Sequence, residues 1–205
     1  MAEITTETES RPLPPGKVKI INALRTMLET KDFSSIKIAD IARTAGVTEP
    51  LIYKYFKDKR DVLHHLLQDY LENSLIKAVD GLGKVEGALG KLELFIQSYI
   101  QAYDIDRVLA RVILLEISSS YDYYESKSYQ IFKGYGRLIL SIIEEGVKSG
   151  ELRDDIPPIL MRNLLFGGID RCCLNPIIFN KALDVDFVAR HVTTMIFDAI
   201  RKREG

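Results

Sequence analysis

Cysteine, histidine and long apolar runs are all scarce in this chain, and each shortage removes a class of function. The two cysteines, Cys172 and Cys173, are adjacent. Neighbouring cysteines close no useful loop, so no structural disulfide is expected, and without a CxxC spacing they make no zinc site. Of the three histidines, His64 and His65 are consecutive on a predicted helix and point to different faces, unlike an i,i+4 pair that can share a metal. His191 sits on an apolar stripe, where a lone histidine reads as a packed residue. No motif pairs a nucleophile with a base. No catalytic residue, metal or cofactor is therefore expected, and the chain does not read as an enzyme. No apolar run approaches the roughly 18 residues that a spanning helix needs, and no basic-then-apolar start marks a signal peptide. The expectation is a cytoplasmic protein with no membrane partner.

What is present fits a soluble globular chain: 205 residues, 46% hydrophobic and 28% charged, enough for one medium domain or two small ones. Residues 1–16 hold Glu3, Glu7, Glu9, several threonines and Pro12, Pro14 and Pro15. That composition buries little and predicts a disordered arm. The net charge of -1 hides an asymmetry, because Lys17 to Arg60 carries ten basic and five acidic residues whereas the remainder is acidic. A basic head on an acidic body suits a polyanionic partner.

The periodicity is helical throughout and predicts an all-α chain of about nine helices with no strand. Val18, Ile21, Leu24 and Leu28 mark the first helix, which the break at Pro15-Gly16 precedes. Ile38, Ile41, Ala42 and Ala45 mark a short second helix, stopped by Gly46. Thr48 is a good N-cap with Pro50 in the first turn, so a third helix runs to about Phe56. Asp58 caps a fourth helix through Leu71. Gly81, Gly83, Gly87 and Gly90 form an interhelical connector; they lack the Lys-Ser/Thr ending of a phosphate loop. Later helices carry the stripes Leu92 to Tyr103, Val108 to Ile117, and Ile131 to Ile142. The last two run from Pro157 to Leu174, where Asn175-Pro176 is expected to break the chain, and from Val185 to Arg201. The domains are then an arm over 1–16, a basic head over 17–60 and a helical bundle over 61–205.

Residues 37–56 have the logic of a helix-turn-helix: two short helices, a glycine turn, small Ala42 and Ala45 for close approach, and Ile52 and Phe56 pointing to the core. The remaining positions of the second helix are free to enter the roughly 12 Å wide major groove. The motif Ile41-Ala42, Ala45-Gly46-Val47-Thr48, Ile52-Tyr53, Tyr55-Phe56 and Lys59 resembles the head of the TetR family over about Lys17 to Leu63. Lys37 departs from that pattern, since relatives often carry Thr there. The resemblance implies Thr48, Tyr53, Tyr55 and Lys59 as phosphate contacts, with Lys37 joining them, and Glu49, Leu51 and Lys54 at base edges. Phosphate contacts position such a head and base-edge contacts specify the sequence. The function expected is a DNA-binding transcriptional regulator, with repression the commoner family outcome. A helical adaptor without DNA binding is the alternative, and a small-molecule enzyme a more distant one.

Phe95, Tyr99, Tyr103, Tyr135 and Glu116 are the candidate effector residues. Buried tyrosines must place their hydroxyls, and a buried Glu needs a partner. The stretch from Arg111 to Gly150, with Glu116, Tyr135 and Gly150-Glu151, is similar to fatty-acid-responsive members of the family. A fatty acid or its acyl-CoA thioester is the first expectation, and a cationic or aromatic drug the alternative. The resemblance also implies a homodimer on a palindromic operator, joined through the last two helices, with Leu164 and Ile196 expected in the interface and Gly167-Gly168 allowing close approach.

Overall fold

The computed structural model describes residues 13–117 and 124–202, so most of the arm expected over 1–16 lies outside the described residues. The chain divides into two compact units, Met1–Leu66 and Leu67–Gly205. Among the described residues there are nine α-helices and no strand; the sole extended pairing there is an isolated bridge between Leu152 and Arg201.

The first unit is built from α1 (Pro15–Leu28), a 3-10 turn (Phe33–Ser35), α2 (Ile38–Ala45), α3 (Glu49–Tyr55) and the opening turns of α4 (Lys59–Leu82). Pro15 begins α1 where a break was expected before it. The first helical position loses nothing by lacking an N–H, and the fixed φ of proline suits it. Helices α1, α2 and α3 pack on one another. Their shared core is Ile20, Leu24, Ile41, Ile52 and Phe56, each at most 2% exposed, with Ala42 keeping the approach close. Gly46 ends α2 in the left-handed region, φ 65°, a conformation in which a side chain is disfavoured. The start of α4 is capped twice. Asp58 Oδ1 accepts from the Asp61 N–H at 2.9 Å, and Asp61 Oδ2 accepts from the Lys57 N–H at 2.8 Å.

The second unit holds the rest of α4, then α5 (Ala88–Ile105), α6 (Arg107–Val112), a π-helical turn (Ile113–Ile117), α7 (Lys127–Ser149), α8 (Pro158–Ile178) and α9 (Val185–Ile200). Helix α5 is the hub: it packs against α6, α7, α8 and α9, and its Leu92, Ile96 and Ile100 are fully buried. The Gly150-Glu151-Leu152 sequence ties α7 to α5. Gly150 ends α7 at φ 80°. The Glu151 carboxylate accepts from the backbone N–H groups of Ala88 and Leu89 at 3.1 and 3.2 Å, and so satisfies the exposed donors at the start of α5. Leu152 folds back on Gly146, whose backbone approaches so closely that an added Cβ would lie 2.6 Å from Ala88 Cβ and 2.8 Å from Leu152.

One sequence expectation is corrected in this unit. Asn175-Pro176 does not end α8, which continues to Ile178 with Pro176 inside it. Proline there removes a single intrahelical hydrogen bond close to the helix end, and the chain turns only at Asn180, which adopts φ 47°. In the stretch from Val108 to Ile117, Leu109, Ala110, Val112 and Ile113 are buried and Leu115 is 41% exposed on the π turn.

Candidate DNA interface and ligand cavity

In the first unit the second helix of the motif is short, and its two sides separate by burial. Ile52 and Phe56 face the core, whereas Thr48, Glu49, Tyr53 and Lys54 are exposed and Leu51 and Tyr55 half-buried. Tyr53 is 56% exposed, uncommon for so large a ring. Tyr55 lies against α1: an added Cβ on Gly16 would sit 3.3 Å from its ring. Thr48 takes the N-cap position of α3, although its side chain makes no capping bond. Lys37 and Arg43 add exposed positive charge on α2. The cap that Lys37 cannot supply with its side chain is provided in reverse, since Asp40 Oδ2 accepts from the Lys37 N–H at 3.3 Å. That bond, followed by the Arg43 guanidinium, holds the Asp40 carboxyl below its usual range. The arrangement is an exposed helix face of hydroxyl, phenol and ammonium groups over a rigid apolar support.

Lys59, expected as a phosphate contact, lies against the 3-10 turn. Its ammonium donates to the carbonyls of Phe33 and Ile36, both at 2.7 Å, and to Ser34 at 3.4 Å, while lying 4.3 Å from the centre of the Phe33 ring. The three protons of the ammonium meet three carbonyls of the 3-10 turn, so this side chain braces the head from within.

In the second unit a cavity of about 370 Å³ opens between α4, α5 and α7. Its buried wall includes Leu71, Phe95, Tyr103, Ile113 and Tyr135, and its solvent-facing side is formed by Lys77, Ser98, Gln101 and Ile105. Four of the five predicted effector residues, Phe95, Tyr99, Tyr103 and Tyr135, thus come together on one wall. Glu116 does not line it; the π turn brings Ile113 to the wall and leaves Glu116 outside. The aromatic wall is backed by Phe166 of α8, whose ring centre lies 5.4 Å from Phe95 and 5.6 Å from Tyr99.

The acid that serves these tyrosines is Asp170 on α8. Tyr103 Oη donates to Asp170 Oδ1 at 2.9 Å, and the Tyr99 and Tyr103 hydroxyls are 3.1 Å apart. Burial raises the Asp170 pKa, opposed by the two phenols that hydrogen-bond to the carboxylate. Burial likewise pushes the Tyr99 and Tyr103 phenols well above their usual range. The Tyr135 hydroxyl reaches the Leu71 carbonyl at 3.4 Å, and the Tyr70 hydroxyl the Ala102 carbonyl at 3.4 Å. Nothing in the local sequence around Asp170 marks it. A single carboxylate on a long helix looks like surface until the helix that faces it is known.

Both units match known families. Residues 20–66 match the model described as bacterial regulatory proteins, tetR family, and residues 67–199 that of the YsiA-like protein C-terminal region. The fatty acid metabolism regulator protein of Bacillus subtilis is 26% identical over 189 residues, covering 92% of this chain and 97% of that protein. A crystal structure of FadR from Bacillus subtilis in complex with stearoyl-CoA superposes with TM-score 0.79 at 26% identity, over 90% of this chain and 99% of the other. The fatty acid degradation regulator FadR from Bacillus halodurans gives TM-score 0.80 at 24% identity over 94% and 100%. No helix among the described residues is long and apolar enough to cross a membrane. With a helix-turn-helix head matched over 20–66 and a helical body matched over 67–199, this chain belongs to the tetR family and is a DNA-binding transcriptional regulator.

Proposed function

We propose that this regulator is a homodimeric repressor of a palindromic operator, released when a fatty acid or its acyl-CoA thioester enters the cavity of the second unit. The observation that carries the reading is the cavity itself: an apolar aromatic wall with few polar points, of a size suited to a small molecule. Lys77 stands on its solvent-facing side, where it can meet an anionic head group while the chain lies inside. The stearoyl-CoA bound by the Bacillus subtilis relative supports the same ligand class.

On the DNA side, Thr48, Tyr53 and Tyr55 hold phosphates, joined by Lys37, and Glu49, Leu51 and Lys54 read base edges. The dimer forms through α8 and α9, which leave Leu160, Leu164, Phe187 and Met195 more than half exposed. Gly167 and Gly168 have open space where a Cβ would lie, which suits the close approach of a second copy. Ile196, expected from sequence in that interface, is 6% exposed within one protomer and belongs to its core. Helix α4 contributes Tyr70, Leu71 and Ser74 to the cavity and continues from the head, so ligand binding shifts the population of head spacings.

The test is fluorescence anisotropy of labelled operator DNA, obtained by genomic capture with the purified protein. Titration with acyl-CoAs and free fatty acids releases the DNA if the reading holds. Release by cationic dyes alone, or by nothing in the panel, overturns the lipid assignment. Binding should also weaken steeply with salt as phosphate counterions are released.

A further inference from the structure

We infer that the effector carries a hydroxyl group on its chain, received inside the cavity by the Tyr99 hydroxyl of the Tyr99–Tyr103–Asp170 cluster. The inference rests on the proposed lipid reading and narrows it to hydroxylated acyl chains.

The argument is an account of protons. A phenol has one donor and two acceptor lone pairs. Tyr103 commits its proton to Asp170 Oδ1 at 2.9 Å. The Tyr99 proton is committed as well, to the Tyr103 hydroxyl at 3.1 Å or to the Asp170 carboxylate that both phenols serve. Tyr135 gives its proton to the Leu71 carbonyl, and Tyr70 gives its own to Ala102. Every phenol on the wall has thus turned its donor toward protein, and Tyr99 keeps lone pairs with no donor assigned to them. Donors are concentrated on the opposite, solvent-facing side, in Lys77, Ser98 and Gln101. The Ser74 hydroxyl, also on the lining, is turned to Tyr135, so the cavity is donor-rich outside, apolar along its length and acceptor-rich at Tyr99. Its complement is a molecule with an anionic, acceptor-rich head, an apolar body and one buried donor.

Asp170 reinforces the polarity of this end. Among the described residues no Lys, Arg or His pairs with it, and the two phenols of the wall bond to it. A carboxylate held without a cation makes the phenols bonded to it richer acceptors, because chains of hydrogen bonds polarise one another. The rings of Tyr99, Phe95 and Phe166 pack around the same point, so water is not the natural partner there. A site with a buried polar group discriminates strongly against an analogue that leaves the group unpaired.

The experiment is displacement of a dansyl-labelled fatty acid from the full-length protein. The competitors are palmitic acid, its isomers with one hydroxyl at successive chain positions, and the matching oxo acids, each as free acid and as CoA thioester. At least one hydroxy isomer should bind about ten-fold more tightly than palmitate, the gain of one well-placed hydrogen bond. The oxo acid at the same position, an acceptor alone, should gain nothing. In Tyr99→Phe the ratio of hydroxy-isomer to palmitate affinity should fall to about one, whatever the change in palmitate affinity itself. Palmitate binding as tightly as every hydroxy isomer overturns the inference and leaves the lipid reading standing. So does an advantage shared by the oxo acid or retained in Tyr99→Phe. Failure of every lipid to displace the probe overturns both. The free-acid and thioester arms tell which form of the acyl chain is bound.

Discussion

The Tyr103 hydroxyl donates to the Asp170 carboxylate at 2.9 Å across 67 positions of sequence, joining α5 to α8 behind the cavity wall. The bond satisfies a carboxyl that burial disfavours in its charged form. It is the place where ligand cavity, helix packing and protonation meet.

Asp170→Asn tests the protonation side of that bond. The folded pKa of Asp170 is raised, so its contribution to stability is fully present below the unfolded value and is lost as pH rises through the folded one. Asparagine still accepts from Tyr103 and has no charge to bury. The variant should melt above the native protein at pH 7, with the gap closing as pH falls toward 4. A gap that widens on acidification would refute this assignment, and thermal melts by circular dichroism decide it.

Glu151 runs in the opposite direction. The backbone N–H groups of Ala88 and Leu89 lower its pKa, so its stabilisation is present above the unfolded value and is lost as pH falls through the folded one. Glu151→Gln should lose about 1 kcal/mol at pH 7, typical of a charge at a helix N-terminus. The deficit should shrink below pH 4. Denaturant melts at the two pH values measure it.

Lys59→Ala separates bracing from DNA contact. It removes two short charge-assisted bonds and a cation–ring contact within the head, and should lower stability by roughly 2 kcal/mol. Tyr53→Phe and Lys54→Ala, on the exposed face, should leave the melting temperature unchanged and weaken operator binding. Equal melting temperatures for Lys59→Ala and native protein would return Lys59 to the list of phosphate contacts.

Leu164→Glu and Ile196→Glu distinguish interface from core. Leu164 is 54% exposed in the protomer and Ile196 6%. The first should give helical monomers in sedimentation, and the second an unstable protein because it buries an unpaired charge. A stable dimer for Leu164→Glu would rule out α8 as the joining helix.

Several helix ends were legible in this chain, because local chemistry sets them. Gly46, Asp58 and Gly150 act where they stand, through a left-handed φ or a side-chain cap. Four cavity residues were also readable, as a stripe on α5 with a tyrosine of α7. Asp170 was not, since its meaning depends on which helix α8 faces. The bonds of Lys59 were hidden for a related reason: its position matches a DNA-contacting motif, but its acceptors are carbonyls 23 to 26 residues away. Pro176 misled because a proline two residues from a helix end removes too little to stop it.

The near-zero clearance at Gly146 has a mechanical consequence. Where an added methyl group would collide with Ala88 and Leu152, α7 and α5 cannot slide or separate without breaking the Glu151 cap. That end of the body acts as a fulcrum. The α4 side is tethered to its neighbours by hydrogen bonds of 3.4 Å, from Tyr70 and Tyr135, and small Ser74 and Ala78 line the opening there. Under the proposed release mechanism, a cavity that swells around its ligand should therefore yield on the α4 side rather than at Gly146.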